Sequence, residues 1–165
     1  MQRKSFDGMN CSIARALEQV GEWWSLLIVR ECTLGTTRFD DFQRRLGIAR
    51  NVLTARLNSL VEDGILDKVL VEGSGRRSEY RLTRKGEELY PVLVALLQWG
   101  DKWGGHKPPV KLVDHRSGKP VEPVGVRVGS RSLGPRDVRL EPGPGATAKM
   151  ADALEMRNRA MLGMG

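Results

Sequence analysis

Cysteine is scarce in this chain. There are two, Cys11 and Cys32, and a pair of thiols excludes a small disulfide-stapled scaffold. Histidine is as sparse. His106 and His115 have no cysteine near them, and two imidazoles alone do not build a zinc site. Long apolar runs are missing as well. The longest, around Trp23–Val29 and Pro91–Leu97, fall far short of the ~20 residues that a bilayer helix needs. The first ten residues, MQRKSFDGMN, carry charges with no apolar stretch behind them, so no secretory signal is expected. There is no nucleophile–base constellation, no phosphate-binding glycine loop ahead of a helix and no metal-ligand spacing. The expectation is a soluble, cytoplasmic protein in a reducing compartment, with no membrane partner, no metal, no cofactor and no catalytic residue.

Proline is nearly absent from residues 1–103, where Pro91 is the one instance, yet residues 104–145 hold eight Gly and seven Pro. That shift divides the 165 residues into a domain at 1–105 and a Gly/Pro-rich extension at 106–165. The length suits one core domain plus an appendage. Net charge is +7. A basic excess suggests a polyanion partner, with plain solubility as the alternative. Most of the excess lies in the extension, where 11 basic residues face 6 acidic ones, against 16 and 14 in residues 1–105. Total charge therefore says little about the core domain.

Periodicity supplies the elements. Ser12–Val20 places Ile13, Ala16, Leu17 and Val20 on one helical face, and Gly21 stops it. Trp23–Leu34 repeats with Trp24, Leu27, Ile28 and Cys32. Thr37–Leu46 turns Phe39, Phe42 and Leu46 inward, and Gly47 ends it. Ala49–Asp63 puts Leu53, Leu57 and Leu60 on one side and Asn51, Thr54, Ala55 and Asn58 on the other, with Gly64 as its stop. Ile65–Glu72 and Arg76–Leu82 are strand-like around Gly73-Ser74-Gly75, which reads as a hairpin. Thr83 is placed to cap a last helix, Arg84–Trp103. Four helices, a hairpin and a helix, with a tight turn between the third and fourth, predict a mainly α winged helix-turn-helix fold.

Residues 11–103 resemble the HxlR-type winged helix-turn-helix transcriptional regulators. The stretches that carry the likeness are Cys11 with Ala16-Leu17, Gly21-Glu22-Trp23-Trp24 and Leu26–Glu31, Arg38–Phe42, and Ile48–Leu57. They continue through Leu60–Leu66, Tyr80–Thr83, Lys85-Gly86 and Leu96 to Trp99-Gly100. The resemblance implies a dimeric bacterial DNA-binding regulator whose dimer contacts come from the N-terminal and post-wing helices. Two residues depart from it. Ala49 stands where the family has Ser or Thr, removing the expected cap of the recognition helix. Trp24 stands where Thr or Ser is usual.

Within that fold, Arg50, Asn51, Thr54, Ala55 and Asn58 are candidates for base contact. Asn can bond adenine N6 and N7, Arg can bond guanine O6 and N7, and an Ala methyl can sit on thymine. The alternative is a solvated helix face. Arg38, Arg44 and Arg45 flank the preceding helix as candidate phosphate contacts. Arg56 borders the apolar face, where it contacts phosphate or pairs with Glu31 or Asp63. Arg76 and Arg77 at the wing tip could enter a minor groove or clamp phosphate.

A helix N-terminus and Arg15 favour the thiolate of Cys11, and the resemblance to the HxlR-type regulators implies that a cysteine in this region senses electrophiles or oxidants, which makes Cys11 a candidate redox sensor; a packing role at the dimer seam is the alternative. Cys32 is expected to be inert packing. The dimer seam is expected to use Ile13, Leu17, Trp24, Leu93, Leu96, Leu97, Trp99 and Trp103. Trp23, Trp24, Trp99 and Trp103 read as core or interface aromatics, or as the wall of a flat hydrophobic pocket for a small-molecule effector, an oxidant effector being tied to Cys11 instead.

The extension offers strand candidates at Val110–Asp114, Val121–Val128 and Asp137–Leu140. A candidate terminal helix runs from Thr147 to Leu162 with Met150, Leu154 and Met161 as its stripe, the alternative being a fraying tail. The expectation is thus a small β-rich appendage with a helix. The functional expectation is a sequence-specific regulator of transcription, a repressor, that binds double-stranded DNA as a homodimer. The alternative is a winged-helix protein–protein module without DNA affinity.

Overall fold

The structure is a computed structural model that describes residues 5–6, 8–71 and 77–161. The wing residues Gly73, Ser74, Gly75 and Arg76 lie outside the described residues, as does Leu162. The chain divides into two units, Met1–Val121 and Glu122–Gly165.

The first unit opens with α1 (Ser12–Val20) and α2 (Trp23–Thr33). It continues with α3 (Phe39–Leu46) and α4 (Arg50–Glu62), joined through Gly47. Gly47 has φ 63° and its N–H reaches the Gln43 carbonyl at 3.0 Å. That left-handed turn suits glycine and fixes the α3–α4 angle. Strands β1 (Leu66–Leu70) and β2 (Ser78–Leu82) pair antiparallel, Leu66 opposite Leu82 and Leu70 opposite Ser78. The segment before α3 joins this hairpin. Tyr80 N–H donates to the Thr37 carbonyl at 2.8 Å, and Arg38 bridges to Glu79. This third edge, which ties the wing to the helix-turn-helix, has no periodic signal in the sequence because it is two residues long.

The core lies where α2 packs on α4 and the hairpin closes beneath them. Ile28, Val29, Phe42, Leu53, Leu57, Leu60, Ile65 and Leu66 are fully buried, and the Tyr80 ring meets Phe42 edge-on at 6.4 Å. Burying an aliphatic side chain of this size is worth about 1.5–3 kcal/mol. The three leucines of α4 therefore anchor one face of that helix and leave the opposite face outward.

Three sequence expectations change. The helix expected over Arg84–Trp103 is two: α5 (Arg84–Glu87) and α6 (Tyr90–Trp103), split at Glu88–Leu89. Pro91 is the cause. It has no N–H for the Glu87 carbonyl and its ring crowds that carbonyl, so it is tolerated only in a first turn. On α1 the buried residues are Ala14 and Val20, whereas Ile13 and Leu17 are exposed. α1 packs on α2 and α4, and its apolar spacing spans a buried side and an exposed one. In the extension, Asp137–Leu140 forms no strand, Val110–Asp114 contributes only an isolated bridge at Val113, and Val121–Val128 is strand only at Arg127–Val128. The Asp137 carboxylate accepts the Gly134 N–H at 2.7 Å, closing a turn over Pro135.

Thr83 caps α5 as expected, accepting the Gly86 N–H at 3.1 Å. Its hydroxyl also donates to the Gly64 carbonyl at 2.7 Å, and Lys85 Nζ donates to the Asp63 carbonyl at 2.6 Å. The end of α4 is thereby satisfied by the start of α5. Gly86 permits this approach, since a Cβ there would lie 2.3 Å from the Ile65 carbonyl oxygen.

Residues 112–121 fold back on themselves. Val121 N–H donates to the Leu112 carbonyl, and Val113 bridges to Pro120. At the turn, Asp114 accepts from the Ser117 hydroxyl (2.6 Å) and N–H (2.7 Å). These bonds hold its carboxyl below the usual range.

The second unit contains the two-residue strands β3 (Arg127–Val128) and β4 (Arg131–Ser132), paired antiparallel, and α7 (Ala148–Met161). The Thr147 hydroxyl accepts the Met150 N–H at 3.3 Å, and Leu154 is buried.

Candidate nucleic-acid interface

α3 is an electrically ordered helix. Asp40 and Asp41 occupy its first turn and Arg44 and Arg45 its last, each sign at the dipole end that favours it. Arg44 pairs with Asp41, so its charge is partly met within the helix, and Arg45 is exposed.

α4 begins without a side-chain cap. Ala49 is in an extended conformation and has no oxygen to offer the first-turn N–H groups. Arg50, Asn51, Thr54, Ala55 and Asn58 are all exposed, while Leu53, Leu57 and Leu60 are buried. The outward polar arc is thus continuous along the first three turns. The Thr54 hydroxyl donates to the Arg50 carbonyl at 2.8 Å. Arg50 also lies 4.8 Å over the Phe39 ring and 3.9 Å from the Asp40 carboxylate.

Arg56 pairs with neither Glu31 nor Asp63. Its guanidinium is 3.7 Å from Glu22, ahead of α2, and both side chains are mostly covered. Glu31 is buried and accepts from Arg30 at 2.7 Å and from the Thr36 hydroxyl at 3.3 Å. The helical wheel of α4 could not reveal this, because Glu22 reaches Arg56 through tertiary packing.

An open groove of about 500 Å³ separates the α3 and α4 starts from the wing. Arg38, Arg50 and Arg77 line it, and Asp40, Asp41 and Glu79 stand among them. Arg38 is 3.7 Å and Arg81 3.0 Å from Glu79, which ties both cations to the wing strand. Arg77 is exposed at the hairpin. Phe39 was read from the sequence only as an inward residue, and Asp40 and Arg81 were not singled out as site residues. For Phe39 and Asp40 the signal is the juxtaposition of α3 with α4, and for Arg81 it is Glu79 on the same strand; spacing along one helix carries neither.

Cys11 is the N-cap residue of α1. The open N–H groups of Ala14 and then Ile13 hold its thiol below the ordinary value, and the Arg15 charge adds to this. Arg15 itself donates to Ser12 at 3.1 Å and Asn10 at 3.4 Å. Cys32 is the opposite case. It packs against the core, and burial, then the charge of Glu31, push its thiol up to about 12.

The expected seam residues divide. Ile13 is 72% exposed, Trp99 65% and Trp103 64%, with Leu17 and Leu96 also exposed. Trp24 and Leu93 pack partly against the core, and Leu97 is half-buried. Trp23 is 89% exposed whereas its neighbour Trp24 turns inward, so the two do not share one wall. Among the described residues, no group of three His, Cys, Asp or Glu side chains could hold a metal ion. No helix there is long and apolar enough to cross a membrane.

Comparison with known proteins supplies the context for this geometry. The model of the HxlR-like helix-turn-helix family matches residues 19–108. Rv3095 of Mycobacterium tuberculosis, an uncharacterized HTH-type transcriptional regulator, is 43% identical over 146 residues, spanning 86% of this chain and 92% of its own length. The crystal structure of PA1607, a candidate transcription factor, superposes with a TM-score of 0.77 at 44% identity, covering 85% of this chain and all of that one. The redox regulator HypR in its reduced form aligns with a TM-score of 0.52 at 27% identity, over 58% of this chain and 95% of its own.

Proposed function

This chain belongs to the HxlR-like helix-turn-helix family, and from that premise we propose that it is a sequence-specific repressor acting as a homodimer. That it is a regulator of transcription rather than an enzyme follows from the family and from its winged-helix relatives. The observation that carries the finer reading is the outward arc of α4. Asn51, Thr54, Ala55 and Asn58 are exposed together along one face of a helix anchored by buried leucines. That geometry suits a major groove, where amide side chains and small methyl groups discriminate base edges. Arg38, Arg44, Arg45 and Arg77 fit the flanking backbone, where they set register rather than sequence. Half-buried Arg56 ties the middle of α4 to Glu22 ahead of α2 and contributes to the field.

The dimer reading rests on a second observation. Val92, Leu96, Trp99 and Trp103 are all exposed on α6, spaced by four, three and four residues, which is one helical stripe. Ile13 and Leu17 add an exposed pair on α1. A stripe this apolar is covered when two copies meet. A dimer would place two α4 helices on half-sites one helical turn apart. Footprinting on DNA upstream of the chain's own gene tests this. The expected result is two protected half-sites separated by about 10 base pairs, with reporter expression falling when the protein is present. A single protected half-site with rising expression refutes both the homodimer and the repressor.

Cys11 supports a redox input to the same dimer. Its thiol is drawn toward thiolate at the start of a helix that carries exposed seam residues, and HypR is a redox regulator of the same fold. An oxidant or electrophile is then the effector. The Cys11→Ser protein is expected to hold DNA under peroxide or quinone while wild type lets go. Equal release by both removes Cys11 from the mechanism.

A further inference from the structure

Arg50 occupies an unfavourable place. It is the first residue of α4, where the helix dipole is positive, and the cap position ahead of it is an alanine that meets none of the open N–H groups. A guanidinium here needs another reason to stay ordered, and the structure supplies two. The Phe39 ring lies 4.8 Å beneath it. The Asp40 carboxylate lies 3.9 Å from its Nη1. Both partners come from the first turn of α3, so the contact crosses the helix-turn-helix. Arg50 and Asp40 are 72% and 87% exposed. A pair this wet adds little to stability, so the acidic partner is not there to hold the fold.

We propose that Asp40 is a positioning residue that sets the specificity of DNA binding by restraining Arg50 from phosphate. The inference rests on the DNA-binding reading given above and deepens it. The chemistry is a competition for one guanidinium. The group has five donors in a planar fork. With its face on Phe39 and one edge toward Asp40, the other edge remains able to meet the two acceptors of guanine, O6 and N7. That contact leaves the Asp40 pairing intact. A phosphate contact does not. The guanidinium would have to leave Asp40 for the phosphate, or carry a carboxylate toward a second anion. The arrangement therefore taxes the sequence-independent mode, which is all phosphate, and spares the base-reading mode.

The test uses the full chain and two probes. One is the duplex most enriched from a random-sequence library by the wild-type protein. The other is a scrambled duplex of equal length and composition. Asp40→Asn should bind the scrambled duplex at least fivefold tighter and the enriched duplex within twofold of wild type. The salt slope on scrambled DNA should steepen by about one counterion, as Arg50 gains a phosphate. In an Arg50→Gln background the same Asp40→Asn change should alter neither the affinity ratio nor the slope, because the acid acts through that arginine. Unchanged ratio and slope in Asp40→Asn, or an equal effect with and without Arg50, overturn the proposal while leaving DNA binding standing. Should wild type enrich no duplex at all, the DNA-binding reading falls, and this proposal falls with it.

Discussion

At the scale of single residues, the two thiols diverge for separable reasons. Cys11 is lowered by the helix N–H groups of Ala14 and Ile13, whereas Cys32 is raised to about 12 by burial. Alkylation at neutral pH is expected to label Cys11 first, as mass spectrometry of timed aliquots would show; equal rates would refute the difference. Cys32 also makes stability depend on pH. In the unfolded chain it ionises near ~8.5. Above that value the unfolded state has lost a proton that the folded state keeps. Its contribution is whole below ~8.5 and is lost as pH rises toward 12. Cys32→Ala should flatten that alkaline limb of Tm against pH. Gly86→Ala is the steric counterpart. The new Cβ would meet the Ile65 carbonyl at 2.3 Å and Leu82 Cδ2 at 2.9 Å, and overpacking of this kind costs about 1–3 kcal/mol. Calorimetry should show a clear fall in Tm. The outward arc of α4 was legible from spacing alone, because three leucines at i, i+4 and i+7 leave only one face free. The partner of Arg56 was not, since Glu22 is 34 positions away in sequence and meets it only through packing.

At the scale of elements, α4 starts without a cap, and restoring one is a direct test of that account. Ala49 already has the extended backbone that a cap residue adopts, φ −63° and ψ 140°. Ala49→Ser should stabilise the protein by ~1 kcal/mol, measured as a shift of the urea midpoint with unchanged slope. No shift would mean that the first N–H groups of α4 are met in another way. The first four helices and the hairpin were legible in the sequence because glycine or an apolar period marks each end. The break between α5 and α6 was missed despite Pro91 being in view, since the apolar pattern runs on across it. In the extension, alternating valines suggested longer strands than the two-residue β3 and β4. Val124, Val126 and Val128 are exposed, so no buried face enforces a longer register.

At the scale of the molecule, the proposed dimer would cover the exposed stripe of α6 and the exposed pair of α1. Trp99→Glu with Leu96→Glu should convert it to a monomer by light scattering at micromolar concentration while the helix content stays unchanged. A wild-type monomer at that concentration would contradict the dimer outright. The central claim is that the outward face of α4 reads DNA sequence, and Asn51→Ala tests it most directly. Anisotropy titrations would compare wild type and variant on the best-bound duplex and on scrambled DNA across salt concentrations. Losing a bidentate amide–adenine pair costs ~1–3 kcal/mol, so affinity for the best-bound duplex should fall roughly 5- to 150-fold. Affinity for scrambled DNA and both salt slopes should stay as they were, because the phosphate contacts remain. Equal binding of the best-bound duplex by the Asn51→Ala protein and wild type would contradict the account.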